Sequence, residues 1–198
     1  LHLCDYNLES IQTKNYNSSN AKHDLLAEVC MAAKYEGDSI NTHYTPHQDK
    51  YDDSQLCTVL ARSFADIGDI VRGKDLYLGD KKKKQNGKKT ETERDQLESK
   101  LKKIFEKIHD DVTTNGRKDK KQALKTRYEG DKENFYQLRE DWWTANRHTV
   151  WEAITCDVKS GSQYFRQTAC AGTGTQGRCR CKTNDVPTYF DYVPQYLR

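Results

Sequence analysis

The sequence predicts an all-α fold, a helical bundle stapled by disulfides. Three observations carry that expectation. Apolar residues recur three and four apart in four separate stretches, the spacing that gathers them on one face of a helix. Seven cysteines are scattered along 198 residues, as in a stapled extracellular fold. The chain is polar, 34% hydrophobic against 32% charged with a net charge of +3, so its core should be thin and aromatic. Twelve Tyr and three Trp supply the large buried area that such a core needs. The length fits one domain or a large piece of one.

Taken in order, Ser19-Asn20 opens a first helix over 21–37. Leu25, Leu26, Val29, Cys30 and Ala33 share its apolar face, and Gly37 reads as its stop. A polar loop over 38–53 follows, and Pro46 places His43 and His47 on it as surface residues rather than metal ligands. A second helix starts at Asp53-Ser54, with Leu56, Leu60, Phe64, Ile67 and Val71 as its stripe, widened by Val59 and Ile70. Arg62, Asp66 and Asp69 point away from that stripe, and Gly73 ends the helix. Gly68 inside it costs about 1 kcal/mol relative to Ala, which points to a close-packed backbone. A third helix begins near Thr90-Glu91 with a short heptad seam of Leu97, Leu101, Ile104, Ile108 and Val112, broken by Asn115-Gly116. Residues 117–131 are polar and weakly periodic, with room for a short helix. The last long helix is expected from Asp131 to Cys156. Phe135, Leu138 and Trp142 form one stripe on it, and Trp143, Val150 and Ile154 an adjacent one, a band wide enough to pack on two sides. Small residues and cysteines then replace the helical pattern, and Pro194 starts a turn at the end of the chain.

Cys4, Cys30, Cys57, Cys156, Cys170, Cys179 and Cys181 are all disulfide candidates, and spacing leaves their pairing open. The odd count leaves at least one thiol free or joined to a partner beyond the chain. Zinc is disfavoured, because Cys179 and Cys181 are separated by one residue instead of two to four, and no His lies near them. No run of ~18 apolar residues exists to span a membrane. The first ten residues have neither the basic start nor the apolar stretch of a signal peptide. The start at Leu1 is read as that of an internal segment, with any anchor or export signal outside it.

Catalytic patterns are missing from the sequence. Ser160-Gly161-Ser162 and Gly172-Thr173-Gly174 have no preceding strand and no following Lys-Thr pair, so they are not phosphate loops. His109 and His148 lie on separate helices without an indicated nucleophile. The chain is therefore expected to be no enzyme and to use no cofactor or metal.

One segment invites a ligand. Lys81, Lys82, Lys83, Lys84, Lys88 and Lys89 gather in one loop. Arg94, Lys100 and Lys103 continue the positive charge along the third helix, and Arg117, Lys118, Lys120 and Lys121 follow it. Such clusters can bind sulfated glycans by ion pairing. The plainer reading is a solubility feature, because Lys-rich loops beside Glu-rich helices are ordinarily solvated. Trp142, Trp143 and Trp151 are expected in the core rather than on a sugar-stacking platform.

Several long stretches carry a resemblance: CDYNLESI, EVCMAAKYEGDSI, QLCTVLARSFADIGDIVRGKDLYLG, QLREDWWTANRHTVWEAITC and VPTYFDYVPQYLR. Together they resemble the Duffy-binding-like domain of the alpha class, which heads the Plasmodium falciparum erythrocyte membrane protein 1 family of variant surface antigens. The resemblance implies a fold of three cysteine-stapled subdomains. Residues 1–18 would end the first, 19–158 form the helical second and 159–198 open the third. It also implies a host-cell adhesion module of the rosetting or cytoadherence type on the surface of the infected red cell, held by an anchor outside this chain. Partners would be red-cell glycans, heparan-sulfate-like chains and blood-group sugars among them, or glycoprotein receptors, and antibodies. Nucleic acid is not expected, since it would need reduced cysteines and an intracellular setting. The alternative is a structural and antigenic spacer that supports binding sites elsewhere in the head.

Overall fold

The computed structural model describes residues 8, 11, 16, 17, 19–44, 54–76, 92–114, 118–159, 168–175 and 177–198, with backbone alone at 44, 54, 55 and 118–120. Among the described residues the fold is helical, without strands. Among the described residues five α-helices are bounded at both ends: α1 (Ala21–Tyr44), α2 (Ser54–Arg72), α3 (Glu93–Thr114), α4 (Lys118–Arg127) and α5 (Tyr136–Ile154). Two 3-10 turns, Phe190–Tyr192 and Gln195–Leu197, follow near the end.

The chain divides into two compact units, and α1, α2 and α5 each contribute residues to both. The first contains Val29–Asp69 and Ala145–Arg198. Here α1 and α5 meet at Gly37, where a Cβ would collide with the Ile154 carbonyl oxygen and lie 2.9 Å from its carbon. Gly37 is therefore not a stop. The helix runs on to Tyr44 because the missing side chain lets a second backbone approach, and His43 sits in its last turn instead of a loop. Its Nδ1 is 2.7 Å from the Ser39 carbonyl oxygen. In the same unit the Phe64 and Trp151 rings meet edge to face at 5.2 Å, and the Trp151 indole N–H donates to the Cys179 carbonyl.

Four cysteines are joined within this unit, Cys57 to Cys179 and Cys170 to Cys181. The two thiols of the Cys-Arg-Cys run thus belong to different bridges. Cys30 and Cys156 are free, and Cys4 lies outside the described residues. Burial, followed by the nearby Glu152 charge, pushes the Cys30 thiol up to about 11, which keeps it protonated and unreactive at neutral pH. Asp69 also departs from expectation. It is buried and ion-paired with Arg198 rather than facing water, while Arg62 is exposed.

The second unit holds Asp5–Glu28 and Ile70–Thr144. The α3 helix starts on a capping box: the Asp95 N–H donates to Thr92 Oγ1 at 3.1 Å, and the Thr92 N–H donates to Asp95 Oδ2 at 2.9 Å. Leu97, Leu101, Ile104, Phe105 and Ile108 form its buried seam, in which Phe105 widens the expected stripe. The α5 helix begins at Tyr136, later than Asp131. Gly130 and Phe135 both have positive φ, 89° and 55°, which a continuous helix cannot pass through. Asp131 stays useful there by accepting the Leu138 N–H at 2.9 Å. Trp142, Trp143 and Trp151 are all buried. In this unit Phe105 packs edge to face on Trp142 at 6.2 Å, and the Arg72 guanidinium lies 5.8 Å from the Trp143 ring.

Candidate ligand-binding surface

The residues expected to carry charge outward divide into three groups. Lys81, Lys82, Lys83, Lys84, Lys88, Lys89 and Arg117 lie outside the described residues. Lys118 and Lys120 fall on α4, with their side chains outside the description. Arg94, Lys100, Lys103 and Lys121 can be placed. Lys103 is exposed on α3, and Lys100 and Lys121 are half-buried. The Lys100 and Lys103 positions share one helix face at three-residue spacing. Arg94 is different: its side chain is only 12% exposed and pairs with Asp75 at 3.3 Å. It lines a cleft of about 220 Å³ with Asp95, Glu98 and Asn134, so its charge is directed inward to acids.

Several other arginines are also committed to internal partners, and sequence reasoning assigned them no role. Arg139 is fully buried and grips Glu98 with two hydrogen bonds of 2.7 and 2.8 Å. It donates as well to the Val71 carbonyl at 2.7 Å, which serves an orphan carbonyl at the end of α2. Gly73 at φ 70° makes room for it, since a Cβ there would lie 2.7 Å from the guanidinium. Arg147 holds Asp191 by two bonds of 2.8 Å and the Thr188 carbonyl by a third. Its guanidinium lies 5.4 Å from the rings of both Tyr189 and Tyr192. On α4, Arg127 binds Asp141 through two bonds of 2.6 and 2.7 Å, joined by the Tyr128 hydroxyl at 2.9 Å. Hydrogen bonding from Arg127 comes first among the causes that hold the Asp141 carboxyl below the usual range.

Cations not drawn inward cluster beside that pair. Lys125 and Lys132 are exposed and line a second cleft of about 470 Å³. Its lining also includes His109, Thr113, Gln122 and Thr126. No group of three or more His, Cys, Asp or Glu side chains among the described residues is arranged to hold a metal. No helix among them is long and apolar enough to cross a membrane.

Comparison with known proteins supplies what the geometry does not. The family model described as the Duffy binding domain matches residues 1–198. The N-terminal NTS-DBL1-alpha and CIDR-gamma double domain of the Plasmodium falciparum PfEMP1 protein, varO strain, has 39% identity and a TM-score of 0.74. That match covers 99% of this chain and 25% of the other. The NTS-DBL1(alpha-1) domain from the same strain has 38% identity and a TM-score of 0.72, over 99% of this chain and 40% of that one. The ICAM-1-binding DBLbeta domain of PfEMP1 IT4var13 has 32% identity and a TM-score of 0.67, over 100% of this chain and 39% of that one. The chain thus spans between a quarter and two-fifths of these structures. No curated protein matches it.

Proposed function

Because the chain belongs to the Duffy binding domain family, we propose that it acts as a non-enzymatic host-cell adhesion module of a parasite variant surface antigen. Its partners in this reading are red-cell glycans or glycoproteins, and it is displayed outside the infected cell by an anchor beyond this chain. The observation that carries the reading is the likeness, across the whole chain, to a domain that binds ICAM-1. A division into 1–18, 19–158 and 159–198 accompanies it, with the Cys57–Cys179 bridge tying the second part to the third.

The basic surface of this proposal consists of Lys81, Lys82, Lys83, Lys84, Lys88 and Lys89 with Lys100, Lys103, Arg117, Lys118, Lys120 and Lys121. Arg94 is left out of that surface, because it is committed to Asp75. Ammonium groups clustered in this way attract sulfate and carboxylate groups, and the attraction weakens as salt rises. Charge reversal of Lys81 to Lys84 tests the loop directly. Earlier elution from heparin with an unchanged circular dichroism spectrum is the expected result, and unchanged elution with an intact fold removes the loop from the site.

The spacer reading has one observation in its favour. Arg94, Arg127, Arg139, Arg147 and Arg198 each hold an acid of the chain itself, which is charge used to build the fold. A folded chain that captures neither red cells nor glycans would select that reading.

A further inference from the structure

The cleft beside α4 has a composition that selects among ligands. It holds about 470 Å³, room for a sugar unit, and it lies within the second compact unit. Among its lining residues Tyr128 is buried and the His109 side chain is only 12% exposed. The His109 and Tyr128 rings meet edge to face at 6.4 Å, and the Tyr128 hydroxyl donates to Asp141, which fixes that wall in place. Thr113 donates its hydroxyl to the His109 carbonyl at 2.7 Å and keeps its oxygen as an acceptor.

The described residues of the outer lining are polar. Lys125 and Lys132 bring two ammonium groups, while Gln122 and Thr126 bring an amide and a hydroxyl, all exposed. Among the described lining residues Glu129 is the one acid, leaving a small positive excess from their Lys and Glu side chains. None of these described residues has a purely aliphatic side chain, so they give an apolar peptide anchor or a lipid tail little surface to bury against. A ligand that suits this lining carries hydroxyls over most of its surface and a single negative group. Glu129 accepts from sugar hydroxyls and disfavours a densely charged polyanion.

We propose that this cleft binds one anionic sugar residue of a host glycan, its sulfate or carboxylate pairing with Lys125 and Lys132 and its hydroxyls bonding to Gln122, Thr126 and Glu129. The proposal rests on the adhesion reading and gives it a second, preformed site apart from the lysine loop. Sulfated and sialylated sugars share the required chemistry, so the test carries one probe for each.

The chain is titrated with a monosulfated lactose, with sialyllactose, with lactose and with pentaglutamate, and binding is followed by protein NMR. At least one of the two anionic sugars should bind tenfold or more tightly than lactose and pentaglutamate. The double variant K125E/K132E should lose that binding at least tenfold with unchanged circular dichroism. Q122L/T126V should weaken it several-fold with all charges kept, and K182E, exposed in the other unit, should leave it unchanged. Equal binding of pentaglutamate, an unaffected K125E/K132E variant or an equal loss in K182E would each overturn the cleft. Absence of binding by both anionic sugars would do so too. Red-cell capture by the unaltered chain separates the two ideas, since capture by a chain that binds neither anionic sugar refutes the cleft and leaves adhesion standing.

Discussion

Arg139 is the residue whose loss should cost most for its size. Its guanidinium is fully buried, and its fork satisfies Glu98 and a carbonyl of α2 together. Arg139→Ala would leave Glu98 without its partner and open a cavity. Glu98 keeps contact with water, so the loss comes chiefly from the cavity and the unsatisfied α2 carbonyl, and urea unfolding should show about 2–4 kcal/mol. Arg139→Lys should recover only part of it, because one ammonium cannot reproduce a two-pronged contact. Asp141 gives a pH-dependent prediction. Its folded carboxyl is held low, chiefly by hydrogen bonding from Arg127, whereas an unfolded Asp titrates near ~3.9. Its contribution is therefore present above that value and lost as pH falls through the lower, folded one. As pH falls below about 4 the urea midpoint of the chain should drop, and Asp141→Asn should flatten that slope while starting less stable. Neither arginine was legible beforehand. In a chain one-third charged, an Arg on a helix reads as surface, and only the fold reveals which acid it meets.

At the scale of elements, the stripes of α2 and α3 were readable because their apolar residues recur regularly, and Leu56, Leu60, Phe64, Leu97, Leu101 and Ile104 are buried as their spacing requires. The ends of the helices were harder. Gly37 looked like a stop because glycine often ends helices, yet here it admits the Ile154 backbone. Gly37→Ala discriminates the two roles. In an ordinary helix it would gain about 1 kcal/mol, but here the added methyl meets a carbonyl and should cost about 1–3 kcal/mol in thermal or urea unfolding. The start of α5 was missed for a related reason, since nothing in the sequence marks Phe135 for a left-handed conformation. The disulfides supply the fourth prediction. Cys57–Cys179 closes a loop with a separation of 122 residues, and Cys170–Cys181 one of 11. On the chain-entropy account, Cys57→Ser/Cys179→Ser should cost about 5 kcal/mol and Cys170→Ser/Cys181→Ser about 3, so unfolding should rank the first pair as the more damaging.

For the whole molecule, family membership was legible from long motifs that also build the buried helices, which is why fold and family were read together. The candidate site was legible only in part. A run of lysines announces charge but not commitment, and Arg94 shows the difference by turning its charge onto Asp75. The cleft holding Lys125 and Lys132 escaped notice because His109 and Thr113 from the end of α3 line it together with α4 and the turn after it, a pairing that no sequence spacing announces. Adhesion is the central claim, and red-cell capture by the immobilised, disulfide-intact chain tests it most directly. The account predicts capture that soluble heparin and rising salt both diminish. A correctly folded chain that retains no red cells above an inert protein surface would contradict it.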